Sequence, residues 1–154
     1  MRVRKIIDTQ LEIGAGKDRV WQVLADFDSY ARWNPMIRRA SGRAVPGARL
    51  KVCFQPPGQA RARIFRPVLT VVDPGRELRW NAGWSLPGFF GMEHYWTLSV
   101  LSDERTRLLH GVFFTGIAGV LAAAVLQRMI SRAFEEMNLA HKDRAEQPAG
   151  TQTA

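Results

Sequence analysis

The apolar and polar positions of this 154-residue chain change period three times. Ile7, Thr9, Leu11 and Ile13 alternate with Asp8, Gln10 and Glu12, the period of two that marks a half-buried strand. Gly14-Ala15-Gly16 interrupts it. Lys17–Asp26 then carries Val20, Val23, Leu24 and Phe27 on one helical face, and a second short helix, Ser29–Trp33, stops before Pro35. From Met36 the period returns to two, punctuated by Val45-Pro46-Gly47 and Asp73-Pro74-Gly75, which have the order of a type II turn. Leu50, Val52 and Phe54 share one phase; so do Leu78, Trp80, Ala82 and Trp84, and so do His94, Trp96, Leu98 and Val100. Ser102-Asp103-Glu104 turns the chain into a last strand, Arg105–Thr115. Arg61–Val72 reads as one strand, apolar on both faces at its end, and its register stays open.

The third change is at Gly116. From there to about Ala145 the pattern is helical: Ala123, Leu126, Ile130, Ala133, Phe134 and Met137 fall on one side, and Arg128, Ser131, Arg132, Glu135, Asn138 and Lys142 on the other. Val120–Leu126 is apolar nearly all round, which predicts deep burial or contact with a ligand. An isolated helix of this kind needs a packing partner, and an antiparallel sheet with one buried face needs a cover. The predicted fold is therefore α+β: a curved, seven-stranded antiparallel sheet around the long C-terminal helix, with two short helices after the first strand and space left between sheet and helix. One domain spans residues 1–145. Residues 146–154, small and polar, are expected to be a disordered tail.

Composition narrows the class. At 46% apolar the chain fills one core. The basic start, Met1–Lys5, is followed by too few apolar residues for a signal peptide. Gly116–Leu126 is shorter than the roughly 20 residues that cross a bilayer. One cysteine, Cys53, excludes an internal disulfide and suits the cytoplasm. The net charge is +8. Arg38, Arg39, Arg43, Arg49, Lys51, Arg61, Arg63 and Arg66 lie in a segment, Ile37–Arg66, without an acid. That segment is a solvated sheet face or a weak contact for an anionic membrane surface; no nucleic-acid motif accompanies it.

The series Val20-Trp21-Gln22-Val23-Leu24-Ala25-Asp26-Phe27, Trp33-Asn34-Pro35, Phe65-Arg66-Pro67, Pro74-Gly75-Arg76-Glu77-Leu78-Arg79-Trp80, Gly91-Met92-Glu93-His94-Tyr95-Trp96 and Phe134-Glu135-Glu136-Met137-Asn138 gives a resemblance. From Ile7 to about Glu146 the chain resembles the START-related polyketide-cyclase and lipid-transport superfamily (SRPBCC), whose fold is called the helix-grip. The resemblance implies a mostly apolar cavity for a small hydrophobic molecule. It does not select among transport, cyclisation, dehydration and binding. The matching branch often has an acid two positions after the histidine equivalent to His110; here that position is Val112.

His94 and His110 share the inner phase of neighbouring strands, where a neutral imidazole can bond a ligand carbonyl or phenol or act as a base. Glu93 is out of phase with His94. Trp80, Trp84 and Trp96 are aromatic walls or core filler. Asn81, Val112, Phe114, Leu126 and Ile130 complete the candidate ligand contacts. Trp33-Asn34-Pro35 packs the short helices against the sheet. Ser85–Gly91 holds Phe89 and Phe90 as a candidate gate. His94, His110 and His141 lack metal-ligand spacing, no Gly-x-Ser-x-Gly or phosphate-binding glycine motif occurs, and no cofactor is expected. The leading expectation is a binding protein for a small hydrophobic, lipid or polyketide-like ligand. The alternatives are a cyclase or aromatase using a cavity histidine, and a peripheral membrane or partner-binding module on the basic face.

Overall fold

The computed structural model describes residues 4–82, 85–148 and 150. The chain runs β1 (Arg4–Ile13), α1 (Lys17–Ala25), a 3-10 turn (Phe27–Ser29), α2 (Tyr30–Trp33), β2 (Ile37–Ser41), β3 (Lys51–Phe54), β4 (Arg63–Phe65), β5 (Val68–Asp73), β6 (Glu77–Asn81), β7 (Gly91–Ser102), β8 (Arg105–Thr115) and α3 (Ile117–Glu146). All strand pairs are antiparallel.

The strands form two sheets rather than the single seven-stranded sheet expected. One has the order β1-β8-β7-β6-β5 and the other β2-β3-β4. Pro67 accounts for the difference. It has no N–H for a ladder, so the stretch read as one strand splits into β4, which pairs with β3, and β5, which pairs with β6. Residues 47–50 lace the sheets together: the N–H of Gly47 donates to Leu69 O at 2.8 Å, that of Leu50 to Pro67 O at 2.8 Å, and that of Leu69 to Ala48 O at 2.9 Å.

α3 rests on β1 and β8 and, toward its end, on α1 and α2. It continues through Glu146, one residue into the stretch expected as tail, and the Glu146 carboxylate accepts a bond from Gly14 N–H at 2.6 Å. Arg19 of α1 donates to the carbonyls of Arg144 and Ala145. The main core joins Ile13, Val20, Leu24, Tyr30, Leu50, Leu69, Leu78 and Leu108 to Met137 and Ala145. A smaller cluster, Ile7, Val112, Phe114, Ala123 and Phe134, lies under the middle of α3.

The start of α3 departs from the expectation of deep burial. Only Gly119 and Ala123 are buried between Ile117 and Met129, while Leu121, Val125 and Leu126 are exposed. Two small residues bring the helix close to the sheet, Ala118, Val120 and Ala122 are half-buried, and Ile117, Leu121, Val125 and Leu126 are exposed.

Candidate functional site

The inner phase of β6, β7 and β8 gathers four rings, and α3 adds a fifth. Trp80 and Trp96 have centroids 4.6 Å apart, His94 and Trp96 5.4 Å, Trp96 and His110 4.8 Å, and Phe134 of α3 lies over His110 at 4.0 Å. The register places Trp80 opposite His94 and Trp96 opposite His110, so the pleat alone aims all four strand residues at α3.

Each histidine has one nitrogen fixed and one sealed without a partner. Trp80 Nε1–H donates to His94 Nδ1 at 3.3 Å, which leaves the His94 proton on Nε2. His110 Nδ1 meets Asn138 Oδ1 at 2.8 Å, Asn138 Nδ2 donates to Thr9 Oγ1 at 2.7 Å, and Thr9 Oγ1 donates to the His110 carbonyl at 3.4 Å. That closed ring puts the His110 proton on Nδ1 and leaves a bare lone pair on Nε2. Nε2 of His94 and Nε2 of His110 are both out of contact with water and unbonded. His110 is fully buried; His94 keeps some accessible surface, but not at that nitrogen. Burial holds both rings neutral: it depresses the His94 pKa to about 4 and drives that of His110 well below its ordinary 6.5, a fall the neighbouring His94 deepens and Asn138 opposes. The result is one N–H donor and one acceptor, in rings 5.7 Å apart.

Val112, Phe114 and Ile130 border this cluster through the smaller apolar core. Asn81 does not: out of phase with Trp80, it lines a groove of about 500 Å³ on the opposite sheet face with Arg4, Arg79, Glu93, Phe113 and Thr115. There Arg79 lies between Glu77 and Glu93, and Arg4 and Arg79 lie over Phe113. This depression is an open face on which Arg79 is paired with Glu77 and Glu93. Leu126 is exposed rather than enclosed. Trp84 lies outside the described residues. Phe89 and Phe90 sit in a turn closed by bonds between Leu86 and Phe90 and tied to α3 through Ala118 N–H to Phe89 O at 3.0 Å. Trp33 packs on Tyr30 and His141, and Asn34 Oδ1 accepts from the N–H groups of Met36 and Ile37. Among the described residues no group of three or more His, Cys, Asp or Glu could hold a metal.

The family model described as polyketide cyclase / dehydrase and lipid transport matches residues 5–146. Among solved structures, the chain is similar to a START superfamily protein from Mycobacterium smegmatis, with TM-score 0.71 and 15% identity over 92% of this chain and 97% of that one. It is similar to the Zhui aromatase/cyclase from a Streptomyces species, with TM-score 0.67 and 20% identity over 93% and 92%. It also spans about half of the two-domain aromatase/cyclase StfQ of the steffimycin pathway, with TM-score 0.70 and 18% identity over 92% of this chain and 51% of that one. No curated protein matches.

Proposed function

The chain belongs to the polyketide cyclase/dehydrase and lipid transport family, and from that premise we propose that it binds a small, flat, mostly apolar molecule carrying a hydroxyl group at His94 and His110. One observation carries the reading: a sealed donor on His94 faces the same ring cluster as a sealed acceptor on His110. Buried polar atoms without partners are costly. A hydroxyl is the smallest organic group that both donates and accepts, so one phenol or enol satisfies both nitrogens. The walls, Trp80, Trp96 and Phe134, suit an aromatic body. Burial of a few hundred Å² at about 25 cal/mol per Å² supports micromolar affinity after association costs. Phe134 occupies the space above His110, so entry requires it to swing aside.

A second reading, proton transfer in a cyclase or dehydratase, draws on the same donor and acceptor. It is weaker, because burial drives the pKa of His110, the ring with the free lone pair, well below its ordinary 6.5, which makes it a poor base at neutral pH.

The test is a matched pair of probes, a naphthol and the methylnaphthalene of the same shape, titrated calorimetrically. Binding predicts a preference for the naphthol of about tenfold, one hydrogen-bonded group's worth. His110→Phe and His94→Phe should each abolish that preference while retaining the hydrocarbon. Equal affinities in the unsubstituted protein would sink the proposal. Turnover lost in His110→Gln with affinity retained would favour the enzyme.

A further inference from the structure

The outward face of α3 is apolar where a surface helix is ordinarily charged. Ile117, Leu121 and Val125 stand four residues apart and are 63%, 62% and 83% exposed. The turn at residues 86–90 extends the patch, because Leu86 and Phe89 are also exposed and Phe89 O holds the Ala118 N–H at the start of the helix. Contiguous exposed apolar surface from two elements marks a contact site.

Charge identifies what it contacts. Between Glu104 and Glu135 the chain has no acidic residue. Arg128 follows the apolar turns directly; Arg132, one turn on, shares its charge with Glu136 at 3.3 Å. The strand register brings Arg4 to the same end of the sheet, opposite Thr115, and Arg66 lies two residues before Val68, which pairs with Asn81 at the foot of the 86–90 turn. Arg4, Arg66, Arg128 and Arg132 outnumber the acids beside them, Glu93, Glu135 and Glu136, so the rim is basic on balance. Anionic lipid headgroups have the complementary sign.

By length and composition alone α3 could cross a membrane. Its second half is committed elsewhere, with Phe134, Met137, Asn138 and His141 buried in the fold. Only the first half is available, which fits a helix lying in the interface. We propose that the first half of α3 and the 86–90 turn dock on an anionic bilayer surface, with Phe89, Ile117, Leu121 and Val125 entering the headgroup region. This docking is independent of what the histidine site binds.

Flotation of the full chain with phosphatidylcholine vesicles, with and without about one quarter phosphatidylglycerol, tests it. The chain should float with the anionic vesicles. The double variant Leu121→Asp, Val125→Asp should lose at least about tenfold in partitioning, whereas Leu139→Asp, 57% exposed on the same helix but beyond the patch, should stay within about twofold. All three substitutions are at exposed sites, and circular dichroism should show an unchanged fold. Absence of flotation, equal flotation by the double variant, or equal loss in Leu139→Asp would overturn the proposal. So would loss of flotation only on Arg38→Glu, Arg39→Glu, which would assign binding to the basic strands. A dimer that the double variant dissolves, without vesicle binding, would make the patch an interface between copies.

Discussion

An imidazole sealed from water needs a partner at each nitrogen, and Asn138 supplies one of them to His110. Replacing Asn138 with Leu leaves His110 Nδ1–H unpaired and removes the donor to Thr9. The expected cost is about 1–3 kcal/mol in urea unfolding. A second readout separates positioning from packing: the nitrogen chemical shifts of His110 should move from a single Nδ1-protonated form toward a mixture. A variant that is destabilised but keeps one tautomer would show that Asn138 only fills space. The inward aim of His94 and His110 was legible from the phase of their strands. The role of Asn138 was not, because it falls at the edge of the polar side of α3 and its partner lies 28 positions earlier. Asn81 lies outside the ring cluster for the reason that puts Trp80 in it: neighbours in a strand face opposite ways.

At the scale of the element, α3 begins under two constraints at Gly116. Its φ of 79° and ψ of 164° lie where only glycine is comfortable, and a Cβ there would stand 2.4 Å from the Phe89 backbone. Gly116→Ala should cost about 1–3 kcal/mol from backbone strain alone, with more from the clash. The Ala118 amide should also exchange faster, as the 86–90 turn separates from the helix. Unchanged stability and unchanged exchange would contradict this account. The pattern placed the helix within a residue or two at each end. It misjudged the environment of the first turns, because an apolar run does not say whether the rest of the chain covers it.

For the whole molecule, buried histidines make stability depend on pH. His141, whose Nε2 donates to Val20 O at 3.0 Å, has its pKa lowered to about 4 by burial, against an ordinary 6.5. Between those values the unfolded chain takes up a proton that the folded chain refuses. Stability is therefore fully present above about pH 6.5 and falls as the pH drops toward 4, by about 1.4 kcal/mol per unit for this group alone. His110 adds to the slope in the same direction. Urea midpoints at pH 7, 6 and 5 should fall progressively, and His110→Phe should flatten the slope; a midpoint constant over that range would refute it. The order of elements and their α+β class were readable from period changes. The division into two sheets was not, since it turns on Pro67 within a stretch that is apolar on both faces.

The ring through Thr9, His110 and Asn138 also sets a timetable. Thr9 must wait 101 positions for the His110 carbonyl and 129 for the Asn138 amide. During synthesis β1 therefore emerges long before the strand it pairs with, and the two histidines stay open to water until α3 arrives to cover them. Closure is a late, non-local step, the kind that slows folding. A nascent chain paused before Asn138 would carry an aromatic cluster without its cover, and chaperone capture should be strongest in that interval.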